Sequence, residues 1–481
     1  MSFAQRIKKL FAPMDLTKGN ITKCLLIFSL PIMLSFLFQQ VYSLTDAAIA
    51  GQNLSATEIA GISDSGCLTY IVLDFGFGCT AGFSAITAKA VGSKNNDLIK
   101  KSFSIQIVLT FVIGLFLTIL SIFCIDLLLK IINLVPGTET YEMARKYIFI
   151  FFLGTIAQLF YNLFNNILRA LGDSLTPLLF LIFSCLLNIG LDLLFMITFK
   201  WGVAGAALAT IISQTVSAVG CFIYSYKRYS VFHISLKDLS IDFKYALEHL
   251  KNGLPLGLQF SVLAFGIIIM QGAVVNFDNV SQDPLQPAQL GYGATNKLIG
   301  LFISVPNAIG NAVLAFTGQN YGAKQYQRIR EGIKKANIIT FVACLICTIT
   351  SLLLCIKGAY LYLFLQKENI TEATIKYGTY YYFANMPIFF FLGFLFVGRN
   401  SLQGIEKPLF PFLAGVVELA SRIVISLYFP SLFNPSNPTS DLSYFMLMTG
   451  DGLAWMLAYL TLLIGLIINV YTKPNYKLER K

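Results

Sequence analysis

Charged residues are scarce in this chain. Asp, Glu, Lys and Arg together make up 12% of its 481 residues, whereas 56% of the residues are hydrophobic. Soluble domains carry roughly 25% charged residues, so water could not solvate the surface of a fold with this composition. The composition therefore excludes a water-soluble globular protein and indicates an integral membrane protein.

Several motifs of nucleotide-driven and hydrolytic proteins are also absent. The sequence has no GxxxxGK[ST] phosphate loop, no HExxH metalloprotease motif and no GxSxG nucleophile elbow. The nine cysteines fall mostly inside apolar runs, where they are typical of small core residues rather than of disulfides or metal ligands. We therefore expect neither an ATP-driven pump nor an enzyme, and no organic cofactor.

Long apolar runs recur along the whole chain. Each has about 20 residues or more, enough to cross a hydrocarbon core about 30 Å thick. These runs lack the alternating polarity of barrel strands, and backbone in lipid must satisfy its own hydrogen bonds, so they are predicted to be helices. The expected fold is an all-α integral membrane protein with about twelve spans: 24–50, 66–90, 102–129, 147–168, 177–199, 203–225, 255–277, 289–320, 336–364, 377–398, 408–430 and 446–472.

The basic residues indicate the orientation in the membrane. Most of the 35 Lys and Arg residues fall at the two termini and in the connections that follow even-numbered spans. Because basic residues favour the cytoplasmic side, both termini are predicted to be cytoplasmic, in a plasma (inner) membrane. The net charge of +11 is thus a topology signal and does not predict nucleic-acid binding. Abundant Ile, Lys, Asn and Phe are typical of an AT-rich bacterial genome.

An internal repeat pairs each span with the sixth span after it. Such a parallel repeat predicts two six-helix bundles around a central cleft that opens alternately to each side; a rigid scaffold is the alternative. The matching segments are 29–31 with 253–255, 91–94 with 321–324, and 166–169 with 400–403. The predicted organisation is an amphipathic cytoplasmic N-terminus (1–23), an N-lobe (24–226), a cytoplasmic linker (227–252), a C-lobe (253–472) and a cytoplasmic tail (473–481).

Two polar residues stand inside the apolar run 176–199. Asn188 and Asp192 are four residues apart, so they share one face of the predicted helix. A carboxylate in a membrane span costs roughly 2.5 to 3.5 kcal/mol on insertion scales and usually lines an ion or proton path. The pair therefore indicates a transporter.

Three consecutive segments resemble the multidrug and toxic compound extrusion (MATE) family. They are LRALGDSLTP at 168–177, LNIGLD at 187–192 and GVAGAALAT at 202–210. Thr45-Asp46 with the following Gly51, and QNYGA at 319–323, are similar to the same family. The resemblance extends over essentially the whole chain and implies a secondary-active exporter.

The resemblance also implies a cation site in the N-lobe. The family pattern is an Asp on the first span, an Asn and an Asp four apart on the fifth, and a Thr on the sixth. The residues of this chain that match are Asp46, Asn188, Asp192 and Thr210. Two carboxylates brought together at low dielectric must take up a proton or share a cation, so H⁺ or Na⁺ is the expected coupling ion. The alternatives are that Asp46 reaches the outer surface and that Asp192 is permanently paired with a neighbouring helix.

The second half of the chain differs at the corresponding positions. In the repeat register, Asn188 and Asp192 correspond to Glu418 and Arg422, while Asp46 falls on Met270. An acid and a base four residues apart on one helix can neutralise each other, so we interpret Glu418 and Arg422 as mainly structural. Ion coupling is accordingly predicted for the N-lobe alone.

Other polar residues inside the spans are candidates for the substrate cleft. For Asp74 and Lys297 the alternative is a structural role, and the amides among these residues could instead hold neighbouring helices together. The candidates are Gln39, Gln40, Asp74, Asn165, Gln259 and Lys297.

The expected function is export of organic, cationic or amphipathic compounds in exchange for H⁺ or Na⁺. The expected partners are a small organic substrate and the lipid bilayer, with no nucleic acid and no obligate protein partner. One alternative is a flippase for a lipid-linked saccharide, although few Lys or Arg residues lie within the spans to bind a diphosphate. A membrane scaffold or receptor without transport, which would tolerate Asp192→Asn, is the other alternative.

Overall fold

The computed structural model describes residues 12–132, 134–234, 242–281, 285–434 and 440–476, and within them the regular structure is entirely helical. Parts of all five predicted segments lie outside these ranges: residues 1–11 of the N-terminus, 133 of the N-lobe, 235–241 of the linker, 282–284 and 435–439 of the C-lobe, and 477–481 of the tail. The α-helices are α1 (Ile21–Asn53), α2 (Ala56–Gly92), α3 (Asn96–Phe123), α4 (Ile125–Ile131), α5 (Glu139–Leu153), α6 (Thr155–Ala170), α7 (Leu175–Asp192), α8 (Val203–Arg228), α9 (Phe243–Ser281), α10 (Pro287–Gly322), α11 (Tyr326–Cys355), α12 (Glu372–Asn385), α13 (Phe389–Gly404), α14 (Leu409–Phe433), α15 (Asp441–Met448) and α16 (Gly450–Leu466).

The described helices confirm the predicted membrane fold. They form eleven candidate spans that are long and apolar enough to cross a membrane, two of which join consecutive helices (α12 with α13, and α15 with α16). The number rises to twelve when the bent pair α5 and α6 is counted as one span. That pair bends by 49° at its break and corresponds to the predicted span 147–168. Large apolar side chains remain on the outside, including Phe123 at 85% and Leu186 at 66% exposure. Such a surface suits lipid rather than water.

Local capping signals fix several helix starts. The Asn20 side chain accepts a hydrogen bond from the Lys23 amide at the start of α1. Ser55 and Glu58 form a reciprocal capping box at the start of α2. These side chains satisfy backbone amides that have no partner within the helix, which sets where each helix begins.

The first compact unit comprises Met1–Ser261, Leu314–Gln325 and Gln403–Pro408. Its cores are formed by helices α2 to α8, with Phe103, Leu163 and Phe232 buried in one cluster. A short segment before α1 is held by backbone groups and amide side chains, because the Met14 amide donates to the Gly172 carbonyl and the Leu16 amide to Gln319 Oε1.

The second compact unit comprises Val262–Val313, Tyr326–Leu402 and Leu409–Lys481, so α9 and α10 contribute residues to both units. Within this unit α14 packs against α16. Four tyrosines are almost completely buried in it: Tyr360, Tyr381, Tyr382 and Tyr444. A buried tyrosine hydroxyl needs a hydrogen-bond partner, and Tyr381 finds one in the carboxylate of Asp451.

Candidate functional site

Helix α7 places the predicted Asn188 and Asp192 side by side. Both side chains are buried, at 1% and 0% exposure, and they lie one turn apart on the same face. Asp192 is the last residue of α7 before the backbone continues as a π-helix over Leu193–Thr198. Wider helical turns of this kind occur frequently at functional sites.

The Asn188 amide joins α7 to α8. In the amide orientation that satisfies both neighbours, its nitrogen donates to Asp192 Oδ2 at 2.7 Å and its oxygen accepts from the Thr210 backbone amide at 3.2 Å. The Thr210 hydroxyl donates to the Ala206 carbonyl at 3.2 Å. Asn188 therefore fixes the position of the Asp192 carboxyl relative to the neighbouring helix.

Asp46 on α1 completes the group, because its carboxyl lies close enough to that of Asp192 for the two to interact. Two carboxyls can hydrogen-bond to each other only if one of them carries a proton. Each carboxyl also has a buried oxygen, Asp46 Oδ1 and Asp192 Oδ1, without a hydrogen-bond partner among the described residues. The structure thus brings together the four residues of the predicted cation site, and we call them the Asp46 cluster: Asp46, Asn188, Asp192 and Thr210.

The donor set of the Asp46 cluster fits both ions that the sequence suggests. Two carboxyls, an amide and a hydroxyl supply oxygen atoms, which hard cations prefer as ligands. The same two carboxyls can also share a proton. The described residues contain no group of three or more His, Cys, Asp or Glu side chains that could hold a metal ion. Binding of H⁺ or Na⁺ at the cluster stays a prediction that its donor atoms allow.

Two tyrosines that were not among the predicted site residues lie near the cluster. The Tyr42 hydroxyl lies 3.4 Å from Thr210 Oγ1, and Tyr147 on α5 interacts electrostatically with both Asp46 and Asp192. Tyr42 precedes Asp46 by four residues and therefore shares its helix face, a signal that was present in the sequence. Tyr147 reaches the cluster only through tertiary packing, which the sequence pattern does not reveal.

None of the predicted cleft residues forms a hydrogen bond to the Asp46 cluster within the described part of the chain. Gln259 is the most buried of them, at 0% exposure, and neither of its amide atoms has a partner there. Asn165 interacts with Tyr161. The others range from partly buried to exposed: Gln40 and Asp74 are partly buried, whereas Gln39 and Lys297 are exposed.

The second unit contains a buried group of opposite charges. Arg422 Nη2 lies 3.1 Å from Glu418 Oε1, and Arg422 Nε donates to Asp451 Oδ1 at 2.8 Å. Arg399 Nη2 lies 3.6 Å from Glu418 Oε2. We call these four residues, all between 4% and 8% exposed, the Arg422 cluster: Arg399, Glu418, Arg422 and Asp451.

Only two of the four residues of the Arg422 cluster were predicted from the sequence. Glu418 and Arg422 were singled out by their spacing, and they form the ion pair that this spacing allows. Arg399 follows the predicted span 377–398 directly, and Asp451 lies near the start of the predicted span 446–472. Charged side chains at span ends usually reach the interface, so neither position indicated a buried charge.

The sequence of this chain is similar to those of known multidrug transporters. The family model MatE matches residues 31–194 and 288–428, more than half of the chain. The probable multidrug resistance protein YpnP of Bacillus subtilis (strain 168) is 30% identical over 324 residues, which is 66% of this chain and 68% of that protein. The multidrug export protein MepA of Staphylococcus aureus (strain MSSA476) is 23% identical over 86% of this chain and 89% of its own length.

Solved structures share the fold. An outward-facing multidrug resistance MATE family transporter of the MOP superfamily superposes with a TM-score of 0.82 at 20% identity, covering 96% of this chain and 98% of that one. A MOP superfamily transporter from Pyrococcus furiosus gives a TM-score of 0.83 at 19% identity, with 96% and 98% of the two chains covered. At these identities the likeness establishes the architecture alone.

Proposed function

Because the chain belongs to the MatE family of multidrug and toxic compound extrusion transporters, which are membrane transporters and not enzymes, we propose that it exports organic compounds in exchange for H⁺ or Na⁺. The observation that carries this proposal is the Asp46 cluster. Asp192 in it is buried and Asp46 is partly buried, and each carboxyl has a buried oxygen that no described protein group satisfies. A group of this kind inside a membrane span is costly unless it binds an ion.

The proposed coupling step is neutralisation of the two carboxyls. Without a cation, the negative charges of Asp46 and Asp192 repel each other at low dielectric. A bound proton or Na⁺ removes this repulsion and stabilises the arrangement in which both carboxyls meet. Since a ligand shifts a conformational equilibrium only by its differential affinity for the two states, ion entry favours the conformation in which the cluster is assembled.

The proposed substrate is an organic, cationic or amphipathic small molecule. Support comes from two relatives, the probable multidrug resistance protein YpnP and the multidrug export protein MepA. Alternating access between two lobes, 24–226 and 253–472, follows from the parallel repeat. The polar residues proposed as candidates for substrate contact are Gln39, Gln40, Asp74, Asn165, Gln259 and Lys297. The Lys and Arg bias supports cytoplasmic termini.

The Arg422 cluster does not favour the alternative of a lipid-linked saccharide flippase. Recognition of a diphosphate requires uncompensated positive charge. Arg399 and Arg422 are buried, but Glu418 and Asp451 balance them. The two arginines therefore offer no net charge to an anionic headgroup.

The decisive experiment measures efflux of a fluorescent organic cation from proteoliposomes under an imposed proton or sodium gradient. We expect gradient-driven efflux by the wild type and its loss in Asp46→Asn and in Asp192→Asn. Asp64→Asn is the matched control, because Asp64 is an exposed acid on α2. Unchanged efflux in both cluster variants would exclude the Asp46 cluster as the coupling site. Failure of the wild type to move any organic cation would exclude the proposed substrate class.

A further inference from the structure

The internal repeat relates the two buried charge clusters. Asn188 and Asp192 of α7 occupy the repeat positions of Glu418 and Arg422 of α14. Each pair is buried and spans one helical turn. The same point of the fold thus carries an amide and an acid in the first half of the chain, and an acid and a base in the second.

The final helix of each half also supplies a partner. In the first unit α8 contributes Thr210, whose backbone amide donates to the Asn188 side chain. In the second unit α16 contributes Asp451, which accepts from Arg422 Nε at 2.8 Å. Asp451 Oδ2 accepts a second hydrogen bond, from the Tyr381 hydroxyl, at 2.7 Å. Both clusters therefore join the fifth and sixth spans of their halves through a buried polar contact.

The clusters differ in what lies between their two acids. In the Asp46 cluster the carboxyls of Asp46 and Asp192 interact directly, and no Lys or Arg contributes among the described residues. In the Arg422 cluster one guanidinium lies between two carboxylates, 3.1 Å from Glu418 and 2.8 Å from Asp451. A guanidinium remains charged at all accessible pH values and can bind a carboxylate on more than one edge.

We propose that Arg422 acts as a built-in cation. Its guanidinium permanently occupies the position between Glu418 and Asp451, as an exchangeable Na⁺ or H⁺ occupies the corresponding position between Asp46 and Asp192. This inference rests on the proposed ion-coupled function. Its consequence is that the second half of the protein is closed to the coupling ion, and that each transporter has one exchangeable ion site. Arg422 thereby determines how many ions the transport cycle uses.

The charge balance of the cluster supports this assignment. Two bases and two acids make it neutral as it stands, so it has no electrostatic need for an added ion. Removal of Arg422 would leave Glu418 and Asp451 against Arg399 alone, with one uncompensated negative charge in a buried site. The oxygen atoms then available include both carboxylates, the Tyr381 hydroxyl and Asn296 Oδ1, which lies 3.3 Å from that hydroxyl. Such a set of oxygen donors suits a small hard cation.

The test uses the full-length chain with the Asp46 cluster disabled by Asp46→Asn and Asp192→Asn together. The melting temperature is measured in NaCl against choline chloride, and as a function of pH. In this background we expect no Na⁺ response, and only the pH dependence that the remaining titratable groups give. Addition of Arg422→Gln should add to this a rise in melting temperature with Na⁺ or with acid, whereas the matched variant Arg422→Lys keeps a fixed positive charge and should add none.

Two results would overturn the inference. One is a rise in melting temperature with Na⁺ in the background without any change at Arg422, a measurement that stands even if Arg422→Gln does not fold. The other is a folded Arg422→Gln variant whose melting temperature responds to Na⁺ and to pH no more than that of Arg422→Lys. Failure of the proposed function would be seen in a different measurement, as undiminished gradient-driven efflux by Asp46→Asn. The effect of Arg422→Gln on the melting temperature does not depend on that result.

Discussion

Asn188 holds Asp192: the Asn188 amide nitrogen donates to Asp192 Oδ2 at 2.7 Å, while the amide oxygen is occupied by the Thr210 backbone amide at 3.2 Å. A side chain with both ends engaged cannot rotate without losing one contact. The carboxyl of Asp192 is therefore kept in position toward Asp46 by a neutral residue. Asn188 therefore orients the charged part of the proposed ion site without adding a charge to it.

Replacement of Asn188 by Ala should weaken Na⁺ binding without removing either carboxyl, because the carboxyl of Asp192 loses the contact that orients it. A hydrogen bond to a charged group contributes about 1.5 to 3 kcal/mol, so the Na⁺ concentration for half-maximal efflux should rise roughly tenfold or more. No such rise is expected for H⁺, because an N–H donor favours the ionised carboxylate over the protonated one. The measurement is efflux at a series of imposed Na⁺ and H⁺ concentrations. Asn166→Ala is the matched control, because Asn166 is a buried asparagine on α6 whose amide also donates to a side chain four residues away, that of Asn162. Equal effects of both variants would contradict an orienting role for Asn188.

Replacement of Thr210 by Val should distinguish the two coupling ions. The hydroxyl is a potential ligand for Na⁺, whereas protonation of a carboxyl does not require it. Because Val has nearly the shape of Thr, the packing of this 8% exposed residue is preserved. We expect the sodium dependence of efflux to weaken while the proton dependence is unchanged. A loss of proton-driven efflux as large as that of Asp192→Asn would show instead that the hydroxyl supports the cluster structurally.

The fold was predictable from the sequence because backbone amide and carbonyl groups in lipid must be hydrogen-bonded within the protein, which helices achieve. Long apolar runs must form helices, and the described spans confirm the predicted all-α membrane fold. The match to the family model confirms the MATE resemblance. Boundaries were less accurate, since the predicted span 102–129 divides at Cys124 and the predicted span 336–364 leaves the α-helix after Cys355. Hydropathy alone does not register such local breaks.

The side-chain clusters were only partly predictable. Asn188 and Asp192 are neighbours on one helix, so their spacing reveals their contact. The pairing of Arg422 with Asp451 joins two helices, and the position of Tyr147 depends on packing between α5 and the rest of the first unit. Contacts of this kind are set by tertiary structure and have no fixed spacing in the sequence.

Replacement of Glu406 and Lys89 tests an ion pair in the first unit. Lys89 Nζ lies 2.8 Å from Glu406 Oε2, and the two side chains are 41% and 19% exposed. Pairs with this degree of exposure contribute about 1 kcal/mol or less, so the coupling energy from Lys89→Gln, Glu406→Gln and the double variant should be small. The measurement is thermal unfolding of all four proteins at low and high salt. A coupling energy well above this value that is insensitive to salt would show that the pair is shielded from solvent.

Replacement of Gly172 by Ala should destabilise the first unit. Gly172 has a φ of +90°, a conformation that costs an L-residue about 1 to 2 kcal/mol, and an added Cβ would collide with the Met14 carbonyl oxygen. The backbone contact between Met14 and Gly172 would then have to open, which would displace the segment before α1. The expected result is a lower melting temperature and faster proteolysis near Met14.

Gly190 on α7 provides the control for this change. It lies within the helix, and an added Cβ there would meet no atom within 4 Å. Since Ala is favoured over Gly in a helix by about 1 kcal/mol, Gly190→Ala should leave the melting temperature unchanged or raise it. Both glycines therefore receive the same methyl group, but only the one with a left-handed backbone and a carbonyl against it should lose stability. Equal melting temperatures for the two variants would mean that the Met14 segment yields without cost and does not hold the first unit together.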